Sequence, residues 1–181
     1  MTIEPEVWLR GPVDGIPAEL LPAAHAFLQT LEDVEHAAAG LTLDQVWRQP
    51  GGAPSVGFHL RHLDGSTDRL LTYARGARLS AEQRAVLAGE QAVSALEAGQ
   101  LLANVRARIA SALDALRATP LAMIYDARSV GRAALPTTVI GLLFHAAEHS
   151  QRHAGQVVTT ARIVRGLEAG EGWPARVESG A

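Results

Sequence analysis

Four long stretches of this chain repeat apolar residues at spacings of three and four, and no segment alternates between hairpin turn signals. In the first, Leu20, Ala24, Phe27, Leu28, Leu31, Val34 and Ala38 predict an amphipathic helix over residues 17–39. Pro17 suits its first position, Pro22 lies near its first turn, and Gly40 ends it. In the second, Ser55 caps a helix that runs to Arg75 before Gly76, and its apolar side collects Val56, Leu60, Leu63, Leu70 and Ala74. The third covers residues 94–118 through Leu102, Val105, Ile109, Ala112, Leu113 and Leu116. The fourth opens at Pro136-Thr137-Thr138 and continues to about Arg165. Helices with one apolar face each are stable only when those faces are buried against one another, so the expected fold is an all-α four-helix bundle.

The links between these helices carry further signals. Thr42-Leu43-Asp44-Gln45 and Ser80-Ala81-Glu82-Gln83 have the form of capping boxes and predict two short connecting helices. The longer connections, residues 40–54 and 119–136, allow crossover topology; residues 120–136 hold no clear period, and Ser129-Val130-Gly131-Arg132 reads as loop. Residues 1–16, which include Trp8, read as a leader segment; residues 17–166 form the bundle. Residues 167–181 form a Gly-containing tail, with Trp173 a candidate to dock.

At 181 residues and 48% hydrophobic content, the chain suits one domain with a proper core. Its formal net charge of −3 is spread along the chain, which leaves no basic footprint for nucleic acid and no polybasic membrane patch. No apolar run approaches the ~18–20 residues of a membrane-spanning helix. Residues 1–6 lack the basic and apolar regions of a signal peptide, so a cytoplasmic protein is expected. The lack of cysteine removes disulfides, thiolate metal ligands and a cysteine nucleophile from consideration.

Chemistry concentrates between Phe144 and Gln156, where His145, His149 and His153 stand four apart. Residues four apart on a helix lie about 6 Å from each other on one face. The same face takes in Thr138 and Leu142 before the histidines and Gln156 and Thr160 after them. Leu142 marks that face as inward, and imidazoles there must find hydrogen-bond partners or ligate something. The second helix adds His59 and His62 toward its apolar side, whereas His25 and His36 flank the first helix's stripe and read as solvated. Three neutral imidazoles from facing helices would leave a tetrahedral ion one open position, as in catalytic zinc sites. Imidazole also suits nickel, iron and copper. The competing reading is a set of hydrogen-bonded core histidines. The zinc-protease sequence His-Glu-x-x-His is absent.

Three strings, Gly40 to Trp47, Ser55 to Leu63, and Glu148-His149 through His153-Ala154-Gly155-Gln156, resemble the DinB/YfiT-like superfamily, in order across residues 17–165. The resemblance implies a four-helix bundle with a three-histidine site for a divalent transition metal, zinc or nickel first and iron or manganese next, often in a homodimer. Carried over by position, the ligands are His62, His149 and His153. His62 is preferred to His59 because Leu63-Asp64-Gly65 follows it. His59, His145 and Gln156 then fall where they would support the ligands or line a pocket.

Characterised members of that superfamily include S-transferases that use bacillithiol or glutathione and a mycothiol-dependent maleylpyruvate isomerase. The resemblance therefore implies a metal-dependent transferase that activates a low-molecular-weight thiol and passes it to a small electrophile. Arg61, Arg69 and Arg152 are candidates to hold cosubstrate carboxylates, against the alternative of a solvated face. Two other readings stay open. One is a metal-dependent amidase or esterase with Asp64, Glu148, His59 or His145 as base. The other is a non-catalytic stress-response bundle. Two physical expectations accompany the site. Gly155, inside a helix, should be there for close packing against a neighbouring helix or a second subunit. Ligation by neutral imidazoles should weaken as pH falls through ~6.5.

Overall fold

A computed structural model describes residues 5–170 of the chain. Six α-helices lie among the described residues: α1 (Leu21–Ala38), α2 (Leu43–Trp47), α3 (Val56–Ala74), α4 (Ala81–Gly89), α5 (Ala98–Ala118) and α6 (Val139–Glu168). The four long ones, α1, α3, α5 and α6, form the bundle. Helix α1 packs against α5 and α6, and α3 packs against the same two, so the order around the bundle is α1, α5, α3, α6. The links from α1 to α3 and from α5 to α6 therefore join helices at opposite corners, which is the crossover topology that long connections permit.

Each long helix forms because its periodic apolar residues meet in one core. Phe27 of α1, Leu60 and Leu63 of α3, Leu101, Ile109 and Leu116 of α5 and Leu143 of α6 are all nearly or fully excluded from solvent. Each such side chain contributes roughly 1.5–3 kcal/mol relative to exposure. The ends follow the local chemistry. Ser55 Oγ accepts the Phe58 N–H at 3.1 Å, and Thr138 Oγ1 accepts the Gly141 N–H at 3.1 Å. Both capping boxes form: Gln45 Oε1 accepts the Thr42 N–H, and Gln83 Oε1 accepts the Ser80 N–H, each at 2.9 Å. Helix α6 runs through Gly166 to Glu168, three residues past the expected end at Arg165, and Gln45 Nε2 donates to Glu168 Oε2 at 2.6 Å.

Two sequence expectations need correction. Ser129 and Val130, expected in a loop, lie in a strand: β1 (Ala127–Val130) pairs antiparallel with β2 (Leu135–Thr138), Ala127 opposite Thr138 and Val130 opposite Leu135. Strands of four residues, largely exposed and with Pro136 in one of them, carry no alternation strong enough to read. Val7 and Ile16, within the expected leader segment, are buried. The Val7 N–H donates to Gln29 Oε1 at 3.0 Å, while Trp8 is left largely exposed. Gly155 is exposed, and no atom lies within 4 Å of the place its Cβ would take, so no neighbouring helix packs there. Trp173 lies outside the described residues. No helix among the described residues is long and apolar enough to cross a membrane.

Candidate metal centre

A row of residues four apart does not run parallel to a helix axis; at 3.6 residues per turn it winds about 40° per step. The row on α6 therefore passes from solvent into the core. His145 is exposed, His149 is half-buried, and His153 is only 9% exposed. The small residues Ala146, Ala147 and Ala154 nearby are all buried. From α3, His59 is buried and His62 is half-buried, one turn apart and flanked by the core residues Leu60 and Leu63.

These faces meet at the boundary of α3 and α6. One ring nitrogen from each of His62, His149 and His153 falls within 4.8 Å of the others, a grouping that could hold a metal ion. His62 Nε2 lies 3.0 Å from His149 Nε2, and the rings of His62 and His149 each stand 4.6 Å from that of His153. Behind them, His59 Nδ1 lies 3.0 Å from His153 Nδ1. Phe58 stacks on the outer face of His62 at 5.6 Å, with the planes 10° apart.

The hydrogen bonds define which nitrogens are free. Glu90 Oε2 accepts from His62 Nδ1 at 2.8 Å, so a neutral His62 presents a lone pair at Nε2. With no ion present, His149 must then donate from Nε2 to His62, which leaves His149 Nδ1 buried and without a partner among the described residues. Glu90 itself is only 3% exposed, and its Oε1 accepts from Arg69 Nη1 at 2.5 Å. The sequence did not single out Glu90, and the buried Arg69, expected as a candidate for cosubstrate carboxylates, is instead its partner. Glu90 follows a short helix whose own residues bury nothing, and it reaches His62 across 28 positions.

Burial above all keeps His59, His149 and His153 uncharged at neutral pH. Burial, followed by the nearby charge of His62, lowers His59 from 6.5 to about 4. Burial is also the largest influence on His149, lowered to about 4, and on His153, lowered to about 3, with His62 next in both cases. Imidazoles so placed stay neutral with their lone pairs available. Burial would raise the Glu90 carboxyl, but the hydrogen bonds and charges of His62 and Arg69 outweigh it and hold Glu90 below the usual range.

The other sequence candidates separate cleanly. His59 contacts His153 and stands behind the three-histidine group. His145 pairs with Glu148 Oε2 at 3.2 Å, and its ring lies 5.4 Å from that of His149, at the outer edge. Gln156 is exposed, off the row that continues from His153 to the buried Val157, and no hydrogen bond among the described residues joins it to the histidines. Arg61 donates to the Gly89 and Ala92 carbonyls at 2.9 and 2.7 Å, Arg69 to Glu90, and Arg152 to Glu148. All three arginines are thus engaged within the chain. Asp64 accepts from Arg108 Nε at 2.8 Å, and Glu148 from Arg152. His36 is exposed, whereas His25 is half-buried with Nε2 2.8 Å from the Gly11 carbonyl oxygen.

The fold and cluster together define an all-α bundle with a histidine group suited to a divalent cation. Residues 26–157 match the family model described as the DinB superfamily, and the chain belongs to that superfamily. No curated protein matches it.

Proposed function

We propose that the protein is a divalent-metal-dependent thiol S-transferase in which His62, His149 and His153 hold the ion. The observation that carries the reading is the convergence of three imidazole nitrogens within 4.8 Å. The donor set fits such an ion. Bonds of about 2.0–2.1 Å at tetrahedral angles separate ligand nitrogens by about 3.3 Å. The group spans a contact of 3.0 Å and separations up to 4.8 Å, so small side-chain shifts suffice. Zinc and nickel suit three neutral imidazoles best, with iron and manganese also compatible.

Bound there, a divalent cation would supply a deprotonated thiol at neutral pH, so that the sulfur needs no protein base. The chain contains no cysteine, so that sulfur has to arrive with a cosubstrate. His149 and His153 offer lone pairs at neutral pH because burial suppresses their protonation. His59, against His153 Nδ1, holds that ring in place. The half-buried His62 and His149 form the side open to a small electrophile, whereas His59 and His153 close the inner side.

The test is consumption of a low-molecular-weight thiol with a halo-aromatic acceptor, measured with and without added zinc or nickel. The reading expects turnover that needs both thiol and metal and is lost in His149→Ala. Metal-dependent cleavage of esters or amides without thiol would replace it with the hydrolase reading. Metal binding without turnover of either substrate class would leave a non-catalytic bundle.

A further inference from the structure

Helix α4 poses a question that the core does not answer. None of its residues is buried, so it contributes no apolar side chain to the bundle. Polar contacts tie this segment to α3. Gln83 Nε2 donates to Asp68 Oδ2 at 2.6 Å and to Thr72 Oγ1 at 2.8 Å, and Arg61 holds the carbonyls of Gly89 and Ala92. The one residue this excursion buries is Glu90, at its end. Removing a carboxylate from water is costly, and a buried ion pair seldom returns more than that cost. The segment therefore does something other than add stability.

We infer that Glu90 is a positioning residue for His62: its carboxylate holds the ring with Nδ1 protonated and Nε2 facing His149, the state in which His62 can join the ion site. The inference rests on the metal reading above for its purpose, though not for its geometry. Two features show that the place for this carboxylate is built. Arg69, 8% exposed, takes the second carboxylate oxygen, which stops Glu90 from turning away. Gly65 leaves the space: a Cβ there would stand 2.4 Å from Glu90 Oε1 and 2.8 Å from Arg69 Nη1. A carboxylate behind a ligating imidazole fixes its tautomer and orientation and strengthens the opposite nitrogen as a donor. Glu90 touches neither a substrate position nor the grouped nitrogens of His149 and His153, so its action passes through His62.

The test uses the full chain and two readouts. The first is the tautomer of His62 in ion-free protein, read from its ring nitrogen shifts by NMR; the second is zinc affinity by competition with a chromophoric chelator. The double variant Glu90→Leu with Arg69→Met removes the whole buried pair, a replacement that folded proteins commonly tolerate. Gly65→Ala keeps both charges but intrudes on the carboxylate. Wild type should show His62 protonated at Nδ1, and both variants should shift toward the other tautomer. Zinc binding should weaken by about 10–100-fold in each. Unchanged tautomer and unchanged zinc affinity in either folded variant would overturn the positioning role. If wild type itself takes up no zinc, the metal reading falls, and the tautomer measurement alone still decides whether Glu90 sets the state of His62.

Discussion

Gly57 and Gly155 lie in α3 and α6, and a helix propensity scale treats them alike, yet the structure assigns them opposite responses to alanine. At Gly155 no atom lies within 4 Å of the added Cβ and the residue is exposed. Gly155→Ala should therefore stabilise the fold by about 0.8–1.0 kcal/mol, the propensity difference alone. For a chain of this size that is a rise of about 2–4 °C in Tm. At Gly57 the Cβ would meet three carbons of the Trp47 ring at 2.8–2.9 Å. That ring is buried and pinned by its Nε1, which donates to the Leu96 carbonyl at 3.0 Å, so it cannot simply swing aside. Overpacking costs about 1–3 kcal/mol, and the propensity gain offsets at most about 1 of it. Gly57→Ala should thus be neutral to destabilising by about 2 kcal/mol. Urea denaturation followed by circular dichroism, at matched protein concentration, reads both differences. A loss of stability in Gly155→Ala would refute the reasoning and mean that a surface such as a second copy packs on that face. A gain of about 1 kcal/mol in Gly57→Ala would mean that Trp47 is not held as described.

Three other outcomes follow from the cluster. His59, His149 and His153 take up protons near 6.5 when unfolded but only near 3–4 when folded, so between those values the unfolded chain binds more protons. Folding stability without metal should therefore fall as pH drops from about 6.5 toward 4, with a shallower fall in His153→Leu; equal denaturation midpoints at pH 7 and 4.5 would contradict buried neutral imidazoles. The same shifts move the expected acid loss of metal ligation below the ~6.5 of an ordinary imidazole. His145→Ala should leave zinc affinity within about twofold, because the side chain is exposed and pairs with Glu148. A drop of tenfold or more would place His145 among the ligands.

Much of the fold was readable because burial on one side of a helix leaves a period in the sequence. Phe27, Val34, Leu60, Ile109 and Leu142 are all core residues at the spacings that predicted the four helices. The meeting of His62 with His149 and His153 was legible for a different reason, the likeness of short strings around them to one superfamily. Spacing alone could not rank the members of the α6 row. The winding of that row sends His145 to solvent and His153 to the core. Glu90 carries no such signal, since polar contacts have no period and its partner lies on another helix. The β1–β2 hairpin was hidden because its strands are short and exposed, and no neighbouring helix packs on Gly155 because a helix interior can also face water.

The central claim is that one divalent cation binds where α3 and α6 bring three imidazoles together. Native mass spectrometry of untagged protein, titrated with zinc in volatile buffer at neutral pH, measures this most directly. One ion per chain in wild type, and its loss in both His62→Ala and His153→Ala while both remain folded, is the expected result. Wild type that gains no ion, or the two alanine variants binding zinc as wild type does, would contradict the account.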